Sequence, residues 1–180
     1  MMILKENAAE GYPARTKLNA KVADLTVAFA IDFNTAGEKL TKRVSDNYIG
    51  IRIPCALQFA ASTLLEQMEK FKVKTLNIAG NGIYTLDPRY TQEEINLWVY
   101  QVLKLVHRAR PIEKIVSGGQ TGIDFAGGVA AEVLEIEGVM TFPAGYLQKT
   151  LKEDMKYHTA AEIQDEFDNQ VDVLRRALGE

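Results

Sequence analysis

Short apolar runs of strand length recur along the chain, and each run ends at residues that favour turns. The runs are rich in β-branched and aromatic residues, and they are apolar nearly throughout. That pattern is typical of strands buried on both faces of a parallel sheet. We predict strands in five segments, which are 23–31, 47–53, 73–80, 113–119 and 138–145.

Segments between and after these runs carry apolar residues at three- and four-residue spacing, the period of a helix. The clearest is 91–109, where Thr91 and Glu94 predict a capping box and Trp98 lies on the apolar stripe. We expect that stripe, Trp98 included, to pack in the core. Further helices are predicted over 55–71, 124–136 and 159–180.

Strands alternating with helices predict an α/β fold, Rossmann-like, with three α/β/α layers and a mostly parallel sheet of about five or more strands. No linker, repeat or low-complexity stretch divides the chain, so we predict one domain over residues 1–180. Within it, residues 1–22 carry a few apolar residues followed by charges. We expect this segment to be an N-terminal extension that is partly irregular.

Composition narrows the classes of partner. A formal net charge of −3 disfavours a broad basic face, so nucleic acid and anionic membranes are not expected partners. Apolar stretches are too short to span a membrane, and the first residues do not resemble a secretory signal. The single cysteine, Cys55, cannot form an internal disulfide, which together with these features predicts a cytoplasmic protein. With only two histidines and no cysteine cluster, no metal site is expected.

Glycine-rich loops follow several predicted strands. In doubly wound sheets, ligands bind beyond the carboxyl ends of the strands, so these loops are candidate site segments. Because a glycine-rich turn that opens a helix presents free N–H groups and the positive end of the helix dipole, it favours phosphate. The loops are 32–41, 79–86, 117–124 and 142–148.

The loop "SGGQTGID" (117–124) is the strongest candidate. Gly118 and Gly119 would permit close approach of a phosphate, and Gln120 and Thr121 could donate hydrogen bonds to it. A tight strand-to-helix turn without a ligand is the alternative. Neither GxxxxGK[ST] nor GxGxxG occurs, so the residues do not favour an ATPase or an ordinary dinucleotide site.

Three carboxylates lie beside these loops and are the candidate catalytic residues: Asp32, Glu38 and Asp124. Each could hold ribose hydroxyls, act as a general acid or base if burial shifts its pKa, or serve only as a cap or ion-pair partner. The sequence leaves these roles open.

Taken together, "IVSGGQTGIDFAGGVAAE" resembles the phosphate-loop region of the SLOG superfamily, a Rossmann-like group that includes YpsA, LOG phosphoribohydrolases and DprA. The chain most resembles the molybdenum-cofactor carrier and circularly permuted YpsA group. Members of that group begin near "ISGGQTGVDRAALD" and continue with "Y..RT..N...AD.TLI", "TGGT..T" and "LNVAGPR". Here "YPARTKLN" (12–19) and "TLNIAG" (75–80) precede "VSGGQTGID", so the segments stand in permuted order.

The resemblance implies ligand-binding roles by position. It also shows two departures, because "FPAGYLQ" lacks the basic residues of the family turn and the LOG signature PGGxGTxxE is absent. The implied binding positions, together with those of the loop "AGNG" (79–82), are Arg15, Asn19, Thr35, Ala36, Gly37, Thr41, Gly80, Asn81, Gly82, Gly118, Gly119, Gln120, Thr121 and Gly122.

Two functions follow as hypotheses. The first is a carrier or sensor that binds a nucleotide or a nucleotide-like phosphorylated ligand, a molybdopterin-type molecule included. The second is a hydrolase that cleaves an N-glycosidic or phosphate bond of a nucleotide with one of the three carboxylates. A DprA-like binder of single-stranded DNA is disfavoured by the net charge. Resemblance to the superfamily also predicts a homo-oligomer.

Overall fold

Six parallel strands form one sheet in the computed structural model, which describes residues 1–180. The strands are β1 (Met2–Glu6), β2 (Leu25–Ala30), β3 (Tyr48–Arg52), β4 (Thr75–Gly80), β5 (Lys114–Gly118) and β6 (Glu137–Phe142). Their spatial order is β1-β6-β5-β4-β2-β3, and every neighbouring pair is parallel. All five predicted strands are present.

Helices cover both faces of this sheet, which confirms the predicted three-layer α/β fold. They are α1 (Tyr12–Val22), α2 (Ala36–Val44), α3 (Leu57–Lys70), α4 (Ile83–Leu86), α5 (Gln92–Ala109), α6 (Ile123–Val133) and α7 (Ala160–Leu178). Helices α1 and α2 pack together on one face, and α3, α5 and α6 pack on the other, with α7 against α5 and α6. None of the helices combines the length and the apolar character needed to cross a membrane.

The predicted capping box at the start of α5 is formed. The Thr91 side chain accepts a hydrogen bond from Glu94 N, and the Glu94 side chain accepts one from Thr91 N. Trp98 packs edge-on against Phe29 of β2, with ring centroids 5.1 Å apart. The apolar stripe of α5 therefore packs against the sheet, as expected.

Residues 1–22, predicted as a partly irregular N-terminal extension, are irregular only at residue 1 and residues 7–11, because β1 and α1 form the rest. Residues 2–6 form the edge strand β1, which pairs in register with residues 138–142 of β6. Only Met2 is buried in β1, and Lys5 and Glu6 are exposed, as suits an edge strand. So short a strand makes few apolar contacts of its own and depends on pairing with β6, which is distant in the sequence. The local sequence pattern therefore did not reveal it.

The connections diverge between β2 and β4. From β2 the chain passes through α2 to the outer strand β3, whereas from β4 it continues through α5 to β5 on the opposite side. Beyond the carboxyl ends of β2 and β4 this leaves a crevice, because no connection crosses it.

A small antiparallel hairpin, which the sequence did not predict, lies beside the sheet. Its strands are β7 (Gln148–Lys149) and β8 (Met155–Lys156), and Gln148 pairs with Lys156. The hairpin contributes side chains to the crevice.

Candidate functional site

A cleft of about 570 Å³ occupies the crevice where the connections diverge. That volume lies within the usual range of small-molecule sites, about 300–1,000 Å³. The cleft is lined by α1, the first turn of α2, the ends of β4 and β5, the start of α6 and the hairpin. It brings together eleven of the predicted site residues, which are Arg15, Asn19, Ala36, Gly37, Glu38, Thr41, Gly80, Gly82, Gly118, Gln120 and Asp124.

Other predicted site residues lie outside the cleft lining. They are Asp32, Thr35, Asn81, Gly119, Thr121 and Gly122. Each of these residues makes hydrogen bonds or packing contacts with other parts of the protein, and those contacts account for its position outside the lining.

The backbone amides of the glycine-rich loop are largely used within the protein. The bonds run from Gly119 N to Thr141 O (3.2 Å), from Thr121 N to Gln120 Oε1 (3.0 Å) and from Gly122 N to Gln92 Oε1 (2.6 Å). A Cβ on Gly119 would overlap the ring of Phe142, so glycine at this position leaves room for a core side chain. Gly122 has φ +91° and lies against the backbone of residues 81–83. At both positions, glycine allows another part of the protein to pack closely against its backbone.

Gly118 makes room for a buried ion pair on the floor of the cleft. A Cβ here would overlap the guanidinium of Arg15, whose Nη1 donates to Asp124 Oδ2 at 2.5 Å. Both side chains are more than nine-tenths buried. Burial raises the pKa of the Asp124 carboxyl, and the Arg15 guanidinium opposes that rise. Removing one member of such a pair costs about 3–5 kcal/mol, so Arg15 is committed to Asp124.

Glu38 is a second buried carboxyl group in the same cleft. Its side chain is nearly inaccessible, and Oε2 has no hydrogen-bond partner. Burial, and then the nearby carboxylates of Asp124 and Asp32, raise the pKa of Glu38 to about 8. The carboxyl group is therefore protonated and neutral at pH 7, which removes one negative charge from the cleft.

The first turn of α2 opens onto the cleft. Thr35 is the N-cap, and its hydroxyl accepts a hydrogen bond from Glu38 N. Ala36 and Gly37 follow it, and amides at these positions have no partner within the helix. Both residues are exposed, and a Cβ on Gly37 would meet nothing within 4 Å. This is the one predicted loop that combines free amide positions with open space.

Asn81 joins the ends of β2 and β4. Its Oδ1 accepts hydrogen bonds from Ile31 N (2.9 Å) and Asp32 N (3.0 Å), and its Nδ2 donates to Asp32 O (2.9 Å). The Asp32 carboxylate accepts from Asn34 N within the same turn. These bonds fix the floor of the crevice, while neither side chain lines it.

Sequence reasoning missed half of the 22 residues that line the cleft, among them Tyr12, Tyr84, Lys149, Glu153 and Met155. Burial raises the pKa values of both phenols, which keeps them neutral hydrogen-bonding groups. Tyr12 is the first residue of "YPARTKLN", the segment that carried the resemblance, so this residue could have been found. Lys149 lies just beyond "FPAGYLQ", the turn whose missing basic residues were noted.

Lys149 belongs to an ion pair very different from the one on the cleft floor. Its Nζ lies 3.2 Å from Glu153 Oε2 and 4.1 Å from the centroid of the Tyr84 ring. The Glu153 side chain is 68% exposed. Exposed pairs of this kind contribute about 0–1 kcal/mol, so exchanging the partner of Lys149 costs little.

A second cavity, of about 370 Å³, lies on the other side of the hairpin. Because side chains alternate along a strand, Gln148 and Thr150 face this cavity while Lys149 faces the cleft. His158 also lines it, and burial followed by the charge of Lys156 lowers the pKa of this histidine. The hairpin is thus a wall shared by two cavities.

No cluster of three or more His, Cys, Asp or Glu side chains is arranged to hold a metal ion. In comparisons with known proteins, no family model and no curated protein matches the chain. The resemblance to the SLOG superfamily stays a prediction from the motifs. What the structure establishes is a Rossmann-like α/β protein with a cleft at the diverging strand ends.

Proposed function

We propose that the cleft binds a nucleotide or a nucleotide-like phosphorylated ligand, and that the protein acts as a carrier or sensor of it. The observation that carries the proposal is the open first turn of α2, at Ala36 and Gly37, inside a cleft at the diverging strand ends. Free amides and the helix dipole favour a phosphate group there.

Electrostatics of the cleft support the same ligand. Arg15 and Asp124 neutralise each other, as do Lys149 and Glu153, and Glu38 is neutral below about pH 8. An incoming phosphate therefore meets no net negative charge at pH 7. Tyr12, Tyr84 and Met155 offer apolar and aromatic surface of the kind that packs against a nucleobase.

The test uses Gly37, where substitution is sterically free. Gly37→Asp places a carboxylate in the first turn of α2, which the helix dipole tolerates but which repels a bound phosphate. Thermal shift and isothermal titration against nucleotides, nucleotide-derived signals and molybdopterin should show stabilisation of the wild type. That stabilisation should be lost in Gly37→Asp and kept in the matched control Gly37→Ala.

Absence of stabilisation by every compound in the panel would sink the proposal, as would equal binding by Gly37→Asp. Position 119 is a poor place for the same substitution, because a side chain there collides with Phe142 and confounds binding with folding.

A second candidate, a nucleotide hydrolase, is favoured by the two buried carboxyl groups of one cleft. Glu38 is protonated at pH 7 and could donate a proton to a leaving group, while Asp124 is held as the partner of Arg15. A carboxyl group kept protonated at neutral pH can serve as the general acid in the cleavage of a glycosidic bond. Asp32 does not line the cleft and drops out of this role.

Incubation with nucleoside monophosphates followed by chromatography distinguishes the two candidates. Turnover by the wild type that is abolished in Glu38→Gln supports the hydrolase. Unchanged substrate at high protein concentration, with binding intact, leaves the carrier or sensor.

A further inference from the structure

Two cationic side chains line the cleft, Arg15 and Lys149, and they differ in what holds them. The Arg15 guanidinium is buried against Asp124 at 2.5 Å over Gly118. Asp124 neutralises its charge, its Nε lies buried without a hydrogen-bond partner, and withdrawing the guanidinium toward a ligand anion would leave the carboxylate buried alone. Lys149 pairs with the exposed Glu153, and water can solvate that carboxylate when the pair opens.

The backbone of Lys149 is fixed to the glycine-rich loop, while its side chain is held by the exposed Glu153 and the Tyr84 ring. Lys149 N donates to Gln120 Oε1 (2.8 Å), and Lys149 O accepts from the Thr121 hydroxyl (2.8 Å). The neighbouring Gln148 Nε2 donates to Gly119 O at 2.6 Å. The loop therefore sets the position of the hairpin strand, and through it the place where the ammonium group enters the cleft.

We infer that Lys149 is the cationic side chain that binds the anionic group of the ligand, its ammonium leaving Glu153 for a phosphate oxygen. The inference rests on the proposed function and assigns the loop a different part in it. Because the amides of Gly119, Thr121 and Gly122 are already bonded within the protein, the loop contributes to anion binding by holding Lys149.

Glu153 then acts as a competitor for the ammonium group. While the cleft is empty it holds Lys149 beside the Tyr84 ring, and a ligand with a weakly charged or neutral group does not displace it. The arrangement predicts selection for phosphorylated over unphosphorylated forms of the same nucleoside, since only the former repays the broken pair.

The experiment measures the binding of nucleoside monophosphates, the matching nucleosides and inorganic pyrophosphate to four proteins by isothermal titration. They are the wild type, Lys149→Met, Glu153→Gln and Lys152→Met, a control lysine of the same hairpin that does not line the cleft. Lys149→Met should weaken nucleotide binding about 10-fold or more, because a charge-assisted hydrogen bond is lost, and leave nucleoside binding unchanged. Glu153→Gln should strengthen nucleotide binding about two- to fivefold, and Lys152→Met should match the wild type.

The possible results distinguish a failure of the role of Lys149 from a failure of the proposed function. Wild-type binding of nucleotides that Lys149→Met retains in full overturns the role of Lys149 and leaves the proposed function standing. Equal losses in Lys149→Met and Lys152→Met also overturn it, since they indicate general charge attraction. No binding of any probe by the wild type overturns both. Circular dichroism and thermal unfolding without ligand confirm that each variant folds.

Discussion

Glu38→Gln keeps the size and polarity of a buried side chain and removes its titration. In the folded protein the pKa of Glu38 is raised from 4.5 to about 8, chiefly because its carboxyl group is buried and then because two other carboxylates lie near it. Its place in the first turn of α2 favours the ionised form by at most about 1 kcal/mol. Burial therefore wins, and the folded state holds a proton that the unfolded chain releases near pH 4.5.

The size of the effect follows from the two pKa values. Below pH 4.5 both states are protonated, and Glu38 adds no pH dependence to the stability. Between pH 4.5 and about 8 only the unfolded chain ionises, so the free energy of unfolding falls by about 1.4 kcal/mol for each pH unit. Above pH 8 the loss is complete and amounts to something on the order of 5 kcal/mol. Glutamine cannot ionise, so the variant lacks this slope.

The assay is urea unfolding of the wild type and Glu38→Gln at pH 5, 6, 7, 8 and 9. Other titrating groups cancel in the difference between the two proteins, which isolates Glu38. We expect the variant to gain stability relative to the wild type steadily from pH 5 to 8 and to gain no more above that. A difference that is the same at pH 5 and pH 8.5 would show that the Glu38 carboxyl titrates normally, and the assignment of a neutral acid in the cleft would be refuted.

Three further predictions concern the frame of the cleft. Gly118→Ala should lower the free energy of unfolding by about 3–5 kcal/mol, because its methyl group displaces the Arg15–Asp124 pair. The control Gly37→Ala should stay within about 1 kcal/mol of the wild type. Equal effects of the two substitutions in chemical unfolding would contradict this prediction. Asn81→Ala should cost about 2 kcal/mol in the same assay, since Ile31 N and Asp32 N lose their acceptor, and an unchanged stability would contradict this. Burial raises the pKa of Tyr48 to about 12. The alkaline absorbance difference between the wild type and Tyr48→Phe should therefore show no phenolate at pH 10.5. A transition near pH 10 in that difference would show that the phenol is exposed.

The central strands and the long helices could be predicted because their signals are local. Strand β2 is buried along its whole length, and α5 carries both a capping box and a regular stripe. Strand β1 gives no such signal, because it exists through pairing with β6. The two-residue strands of the hairpin are too short to show any period.

The sequence predicted where the candidate site lies better than it predicted which residues are in contact there. A glycine indicates that something approaches the backbone closely, but the sequence does not say what approaches. At Gly118 it is the Arg15 guanidinium and at Gly119 the ring of Phe142, while Gly37 is the one glycine of the predicted loops that faces open space. Lys149 escaped notice because its role depends on a hairpin placed by tertiary contacts with the glycine-rich loop.

The edge strand β1 also constrains the order in which the protein can fold during synthesis. Met2 pairs with Gly138, so the first strand leaves the ribosome on the order of ten seconds before its partner at about 5–20 residues per second. Arg15 on α1 waits almost as long for Asp124. Over that interval the sheet can assemble from β2, β3 and β4, whose pairings close over shorter stretches of chain. Strand β1 can pair with β6, and Arg15 can meet Asp124, only after those later segments have been made, so the cleft is completed late in synthesis.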